Sequence, residues 1–213
     1  MGIKIPKQYI LLNGRPLLMH TIQRFFDHDP TMSIVVVLPE NEDGTWERLI
    51  NDHSFSISHT VVKGSNTRFH SVTNGLSKIT GHCLLAIHDG VRPLCSPSLI
   101  GRCFEEAEKF TNAIPAIRIT ETVREIINGN NQMVDREKLR LIQTPQCFDS
   151  ELLKKAYQNC DHDNFTDDAG VFEHDGNKIH LVEGEKNNIK ITEPADLIFA
   201  SPLEKELFSY NRK

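Results

Sequence analysis

Cys83-Leu84-Leu85-Ala86-Ile87-His88-Asp89-Gly90-Val91-Arg92-Pro93 is the stretch from which the fold is read. Residues 83–88 form a mainly apolar run without polar alternation, as expected of a strand buried on both faces, and it stops at a polar turn containing Gly90. Residues 33–38 read as a fully buried strand too, and residues 58–62 and 112–119 are similar. Between these runs, residues 16–26, 45–51, 68–79 and 97–110 carry helical periodicity. Strands alternating with helices of this length predict an α/β fold, a mostly parallel sheet covered on both faces. No linker, repeat or low-complexity block divides the chain, so a single domain over residues 1–213 is expected.

Residues 121–134 break the alternation. Apolar residues alternate there around the turn cluster Gly129-Asn130-Asn131, which predicts a β-hairpin. A hairpin late in a parallel fold is expected to project from the body as an arm. Its apolar face then needs a partner surface, and a second copy of the chain is the simplest.

Composition narrows the classes. A net charge of −5 argues against broad nucleic-acid binding, which needs a dense basic surface. No apolar run approaches the roughly 20 residues of a membrane helix. The opening residues are charged and contain Pro6, unlike a secretion signal. The five cysteines are widely spaced with no Cys-x-x-Cys pair, so reduced thiols, no structural zinc and a cytoplasmic location are expected. Ten histidines are present, yet none falls into a pattern such as His-x-x-x-His.

Several short segments have chemistry to offer. Asp89 follows a buried strand, and the carboxyl ends of parallel strands are where open α/β sheets bind ligands. A carboxylate there suits Mg²⁺ carried by nucleotide phosphates, and Arg92 suits either a phosphate or Asp89 itself. The segment 63–72 lies between a strand and a helix and presents backbone N–H groups, hydroxyls and Arg68, an anion or nucleotide site. Leu139 to Gln146 reads as a short strand ending in two glutamines that flank Thr144-Pro145. Thr166-Asp167-Asp168-Ala169 reads as an N-cap opening a helix. Asn187-Asn188-Ile189-Lys190-Ile191-Thr192 sets a lysine inside a short β run, where it needs an anionic partner. Lys7, in Pro6-Lys7-Gln8, could stabilise charge on a transferring phosphoryl group. Taken singly, each has a plainer reading: a surface ion pair, a βα loop, a turn, a cap, an edge-strand lysine, an exposed terminal lysine.

Taken together and in this order, the segments resemble the 2-C-methyl-D-erythritol 4-phosphate cytidylyltransferase family of the non-mevalonate isoprenoid pathway. The resemblance rests on Pro6-Lys7-Gln8-Tyr9, the Arg68-x-x-Ser71-Val72 segment, His88 to Pro93, the run from Asp135 to Gln146, Thr166 to Ala169, and Asn188 to Thr192. It implies a Rossmann-like nucleotidyltransferase sheet and a homodimer joined through the arm. It also implies transfer of CMP from CTP to 2-C-methyl-D-erythritol 4-phosphate, with Mg²⁺ present and pyrophosphate released. On matching positions, Lys7 would stabilise the transition state. Gly64, Arg68 and Ser71 would lie in the cytidine region. Asp89 would bind the metal, with Gly90 and Arg92 beside it at the nucleotide. Thr122, Arg136, Thr144, Thr166 and Lys190 would surround the phosphate substrate, Arg136 coming from the neighbouring subunit. Lys7, Asp89 and Lys190 form the expected catalytic set.

The family pattern also carries a strand and a Gly-x-Gly-x-Arg triphosphate loop, of which Met1-Gly2 match the last two residues. The strand is expected in the middle of the sheet, and residues 1–213 alone are expected to transfer CMP poorly without it and the loop. Two other functions compete: a pentitol-phosphate cytidylyltransferase of the ribitol 5-phosphate kind, and a non-catalytic dimeric nucleotide-binding homologue. The spacing of Asp135 to Arg140 ahead of Ile142-Gln143-Thr144-Pro145-Gln146 favours methylerythritol phosphate over the first. Lys7, Asp89, Arg136 and Lys190 argue against the second.

Overall fold

A computed structural model describes residues 5–209. After a 3-10 turn at Lys7–Tyr9, the strands β1 (Leu11–Leu12) and β2 (Arg15–Pro16) form a small hairpin that leads into α1 (Leu17–His28). Then follow β3 (Val35–Leu38), α2 (Thr45–Asp52), β4 (Thr60–Lys63), α3 (Arg68–Leu76), β5 (Leu84–Ile87), α4 (Pro97–Phe110) and β6 (Asn112–Arg118). The arm is β7 (Arg124–Ile127) and β8 (Asn130–Met133), followed by β9 (Arg140–Ile142) and β10 (Gln146–Asp149). The chain ends with α5 (Ser150–Asn159), α6 (Asp168–His174), β11 (Leu181–Glu183) and α7 (Pro194–Ser209).

The larger sheet has the order β11-β6-β10-β5, with β9 pairing to β6. β10 runs antiparallel to both β5 and β6, and β11 runs parallel to β6. β5, β6 and β11 therefore share one direction. β3 and β4 make a separate parallel pair. The α/β reading with parallel strands holds, and two strands run the other way: β10, threaded between β5 and β6, and β9, which pairs antiparallel with β6.

Period-two alternation explains the apolar runs. Leu84 and Ala86 of β5, Ala113 of β6 and Cys147 of β10 face Phe25 of α1 and Leu99, Ile100 and Cys103 of α4. Leu85 and Ile87, Ile114 and Phe148 face the opposite way, toward Leu76 of α3, Leu153 and Tyr157 of α5, and Val171 and Phe172 of α6. Ser96 caps α4 by accepting from the Leu99 N–H at 3.0 Å, with Pro97 in the first turn, and Asp149 caps α5 through the Glu151 and Leu152 N–H groups.

α1 spans both sheets: Met19 and Ile22 join the cluster of Val36 and Leu38, while Phe25 joins that of Leu84 and Ala86. On the other face, α3 packs on β3 as well as on the cluster around Leu85. Among the described residues, β3 pairs only with β4 and β5 pairs only with β10. Each thus keeps one edge free of strand pairing, in the middle of the fold. The strand expected there, and the Met1-Gly2 match, lie outside the described residues.

Three local readings are corrected. The run at 33–38 is not fully buried, because Val37 is 36% exposed. The arm turns one residue earlier than expected: Ile127 pairs with Asn130, so Asn128 and Gly129 make the loop, with φ of 49° and 80°. Positive φ at both positions is the type I′ turn that matches strand twist, and it suits Asn-Gly. The segment 187–192 forms no strand; Ile191 is held by a bond from its N–H to the Val91 carbonyl at 2.9 Å.

Candidate active site

The carboxyl end of β5 gathers several of the expected residues. Asp89 Oδ2 accepts from Arg92 Nε at 3.0 Å and lies 3.2 Å from Lys190 Nζ. The Asp89 side chain is 18% exposed and that of Lys190 46%, so the pair is open to solvent on one side. Burial works to raise the Asp89 carboxyl, but Lys190 and then Arg92 outweigh it and hold it below its ordinary value. It is therefore ionised at neutral pH, beside two cations.

A relay of hydrogen bonds fixes this turn. The Asp89 N–H donates to Thr144 Oγ1 at 3.1 Å, and Thr144 Oγ1 meets His88 Nδ1 at 3.0 Å. His88 Nε2 lies 3.2 Å from the Arg92 carbonyl. A carbonyl cannot donate, so Nε2 carries the proton and Nδ1 accepts from the threonine. Burial pushes the His88 imidazole down to about 4, which keeps it in that neutral form. Phe25 packs edge-on against it, with ring centroids 5.1 Å apart. Gly90 is bound at its carbonyl by Thr21 Oγ1 at 3.0 Å, and a Cβ there would meet Leu18 Cδ1 at 3.1 Å.

Residues 143–146 and 185–190 lock together beside it. Arg92 donates to the Asn188 carbonyl at 2.8 Å, and Asn188 Nδ2 to the Thr144 carbonyl at 2.8 Å. Gln143 donates to the Glu185 carbonyl at 2.8 Å and accepts from the Glu185 N–H at 3.1 Å. These bonds set Lys190 over Asp89 without any strand.

A second constellation adjoins the first. Arg68 forks onto both oxygens of Asp168, one arm at 3.0 Å, and Tyr157 donates to Asp168 Oδ1 at 2.6 Å. Gln146 Oε1 accepts from the Asp168 and Ala169 N–H groups, and Gln146 Nε2 donates to Asp167 Oδ2 at 2.9 Å. The helix cap falls on Asp167, which accepts from the Gly170 N–H at 3.0 Å, and Thr166 stands exposed just before it. Burial disfavours the Arg68 charge, but Asp168 more than offsets this and keeps it protonated.

The loop after β4 closes on itself. Ser71 Oγ accepts from the Ser65 N–H at 2.9 Å and donates to the Thr67 carbonyl at 2.8 Å. A Cβ on Gly64 would stand 3.0 Å from both the Leu38 carbonyl and Ser71 Oγ, so any larger residue would have to displace one of them. Pro39, Glu40, Asn41, Ser65 and Asn66 line a concavity of about 370 Å³ at the ends of β3 and β4.

The structure thus brings Asp89, Gly90, Arg92, Thr144 and Lys190 together, with Arg68 and Thr166 in the adjoining constellation. Lys7 is exposed in the first 3-10 turn. Thr122 and Arg136 sit exposed at the foot of the arm, where the Arg136 guanidinium donates to the Thr120 carbonyl. Among the described residues, no hydrogen bond or ion pair joins Thr122 or Arg136 to the Asp89 cluster. Sequence reasoning missed the parts played by Gln143, Gln146, Asn188 and His88. The one signal was the pair of glutamines on either side of Thr144-Pro145.

Asp89 also fits a hard divalent cation. Both neighbouring cations engage Oδ2, and such an ion takes one or two carboxylates together with substrate phosphates.

A family profile described as 2-C-methyl-D-erythritol 4-phosphate cytidylyltransferase matches residues 1–204. A protein of that name from Bacteroides fragilis is 45% identical over 203 residues, covering 95% of this chain and 93% of its own. One from Azobacteroides pseudotrichonymphae is 46% identical over 206 residues, covering 95% and 92%. The crystal structure of 2-C-methyl-D-erythritol 4-phosphate cytidylyltransferase from Thermus thermophilus superposes with a TM-score of 0.79 at 30% identity, over 94% of each chain.

Proposed function

This chain belongs to the 2-C-methyl-D-erythritol 4-phosphate cytidylyltransferase family, and from that premise we propose how its residues serve the reaction. The enzyme transfers CMP from CTP to 2-C-methyl-D-erythritol 4-phosphate and releases pyrophosphate, a step in isoprenoid precursor synthesis. Neither the pentitol-phosphate nor the non-catalytic reading is favoured by its relatives. The observation that carries the reading is the Asp89–Lys190–Arg92 cluster at the carboxyl end of β5.

The acceptor is a phosphate monoester, already ionised at neutral pH, so attack on the α-phosphorus needs no general base. One acceptor oxygen forms the new P–O bond as the bond to the leaving pyrophosphate breaks. What remains for the protein is positioning and neutralisation of charge. Lys190 serves the acceptor phosphate, with Thr144 and Thr166 on either side. Arg92 and Gly90 lie at the nucleotide, with Gly64 and Ser71 shaping the loop after β4. Arg68, held on Asp168, positions the start of α3 against α6. Lys7 neutralises charge on the reacting phosphoryl group. Asp89 would hold Mg²⁺, which when bound offsets the charge of the triphosphate.

The chain acts as one domain and as a homodimer joined through the arm. Both arm strands are exposed along their whole length, with Ile126 70% and Met133 74% exposed. Such apolar exposure suits a second copy, which would bring Thr122 and Arg136 to the acceptor. A cytoplasmic setting is supported by five free cysteines. Among the described residues, no helix is long and apolar enough to cross a membrane.

The test is pyrophosphate release with CTP, Mg²⁺ and 2-C-methyl-D-erythritol 4-phosphate. It compares the 213-residue chain with one carrying the strand and Gly-rich loop of the family pattern ahead of Met1. Slow release from the first and rapid release from the second is the expected result. Equal, rapid release would show that the added strand and loop do not matter. No release from the extended chain would refute the activity.

A further inference from the structure

The spacing of the histidines in the sequence shows no metal-ligand pattern, but the fold makes one. Asp161 and His162 lie in the loop after α5, and His174 ends α6. His174 Nε2 lies 3.5 Å and His162 Nε2 4.0 Å from the same oxygen, Asp161 Oδ1. One ligand atom from each of the three residues lies within 4.8 Å of the others.

These separations are too long for ordinary hydrogen bonds, which run to about 3.2 Å. They suit atoms that share a third partner. A zinc ion takes imidazole nitrogen at about 2.0–2.1 Å and carboxylate oxygen at about 2.0–2.2 Å, so neighbouring tetrahedral ligands stand roughly 3.3 Å apart. The two histidine-to-aspartate distances need only small side-chain movements to reach that value.

The rings are also held in place by apolar contacts. His162 stacks on Phe165 with centroids 4.4 Å apart, and His174 meets Phe165 edge-on at 5.5 Å. The two imidazoles are 5.0 Å apart at 68°. Phe165 is itself fixed against Phe69 and the core. The surroundings are acidic: Asp163 faces His70 at 3.5 Å, and Asp175 accepts from Asn159 at 2.7 Å.

We propose that Asp161, His162 and His174 form a surface binding site for a transition-metal dication of the zinc class, pinning the loop between α5 and α6 to the end of α6. Two imidazoles and one carboxylate select such an ion over Mg²⁺, which favours an all-oxygen shell. The site is separate from Asp89. It acts on the segment that leads to Thr166 and to the Asp167 and Asp168 anchors.

The experiment is calorimetric titration of the chelator-treated chain with Zn²⁺ in a buffer containing excess Mg²⁺. The wild type is expected to take up one Zn²⁺ per chain with micromolar affinity, and His162→Ala and His174→Ala each to bind at least about tenfold more weakly. Asp89→Asn should keep the site. All three side chains are exposed, so the histidine variants are expected to fold, and circular dichroism checks this. Uptake by His162→Ala/His174→Ala equal to that of the wild type would overturn the proposal. So would a wild-type chain that takes up no Zn²⁺ at a hundred micromolar.

Discussion

Two aspartates near the carboxyl edge of the sheet pair with arginine, and they are built for different ends. Asp168 is fully buried, and both its oxygens are taken: Arg68 forks across them and Tyr157 adds a third bond. Even its own N–H is held, by Gln146. Asp89 is partly open, and Arg92 and the half-exposed Lys190 crowd onto one oxygen, Oδ2. A buried carboxylate with both oxygens engaged has little to offer a ligand, and its worth is to the fold. A carboxylate engaged on one side by cations that can turn to a phosphate keeps its capacity for a ligand. The comparison separates Asp89, which we propose for the metal, from Asp168, which anchors the fold.

Substitution breaks the comparison where it is sharpest. In a chain carrying the family strand and loop, Asp89→Asn keeps the shape and removes the charge. Turnover should fall by about a hundredfold or more, with partial recovery at high Mg²⁺ and little change in thermal midpoint. A kinetic matrix over both substrates at several Mg²⁺ concentrations reads this out, and wild-type rates throughout would reduce residues 88–93 to a turn.

Asp168→Asn should do the reverse. It leaves the Arg68 guanidinium short of a counter-charge in a partly buried place. The cost should be about 2–3 kcal/mol in urea unfolding, below the range for a fully buried pair because a third of Arg68 is exposed. A variant as stable as wild type would contradict the structural role.

Deleting residues 121–134 should leave both aspartate constellations in place and yield monomers in light scattering, with reduced turnover as Arg136 is displaced. A deletion variant that stays dimeric removes the arm from the interface.

A further effect, confined to acid pH, concerns His88. Its folded value is depressed, so between about 6.5 and about 4 the unfolded chain binds a proton that the folded chain does not. Stability should therefore decline as pH falls through that window, and His88→Asn should flatten the decline in a series of thermal melts. An unchanged slope would place the pH dependence elsewhere.

How much of this could be read in advance depended on how local the cause was. The strands β5 and β6 face helices on both sides, so Leu84, Leu85 and Ile114 gave an apolar signal, whereas β10, with a polar residue at each end of Gln146–Asp149, gave none. The loop after β5 was legible because a polar turn must end such a strand. Lys190 was singled out for a good reason, its need for an anion, but was set in a strand that does not form. Its position comes from Asn188, Gln143 and Arg92, contacts made across the chain. The turn of the arm was misplaced by one residue because Asn128-Gly129 and Asn130-Asn131 carry similar turn residues, and only pairing across the strands decides the register. Asp161, His162 and His174 could not be joined in sequence, because a loop and a helix stand between them.

The identity of the acceptor decides between the two cytidylyltransferase readings. Its most direct test is phosphorus NMR of CTP incubated with Mg²⁺ and the chain carrying the family strand and loop. Separate samples contain 2-C-methyl-D-erythritol 4-phosphate, ribitol 5-phosphate or no acceptor. A new diphosphate-linked pair of signals together with free pyrophosphate is expected in the first sample alone. Product with ribitol 5-phosphate at an equal rate, or pyrophosphate formed without any acceptor, would contradict it.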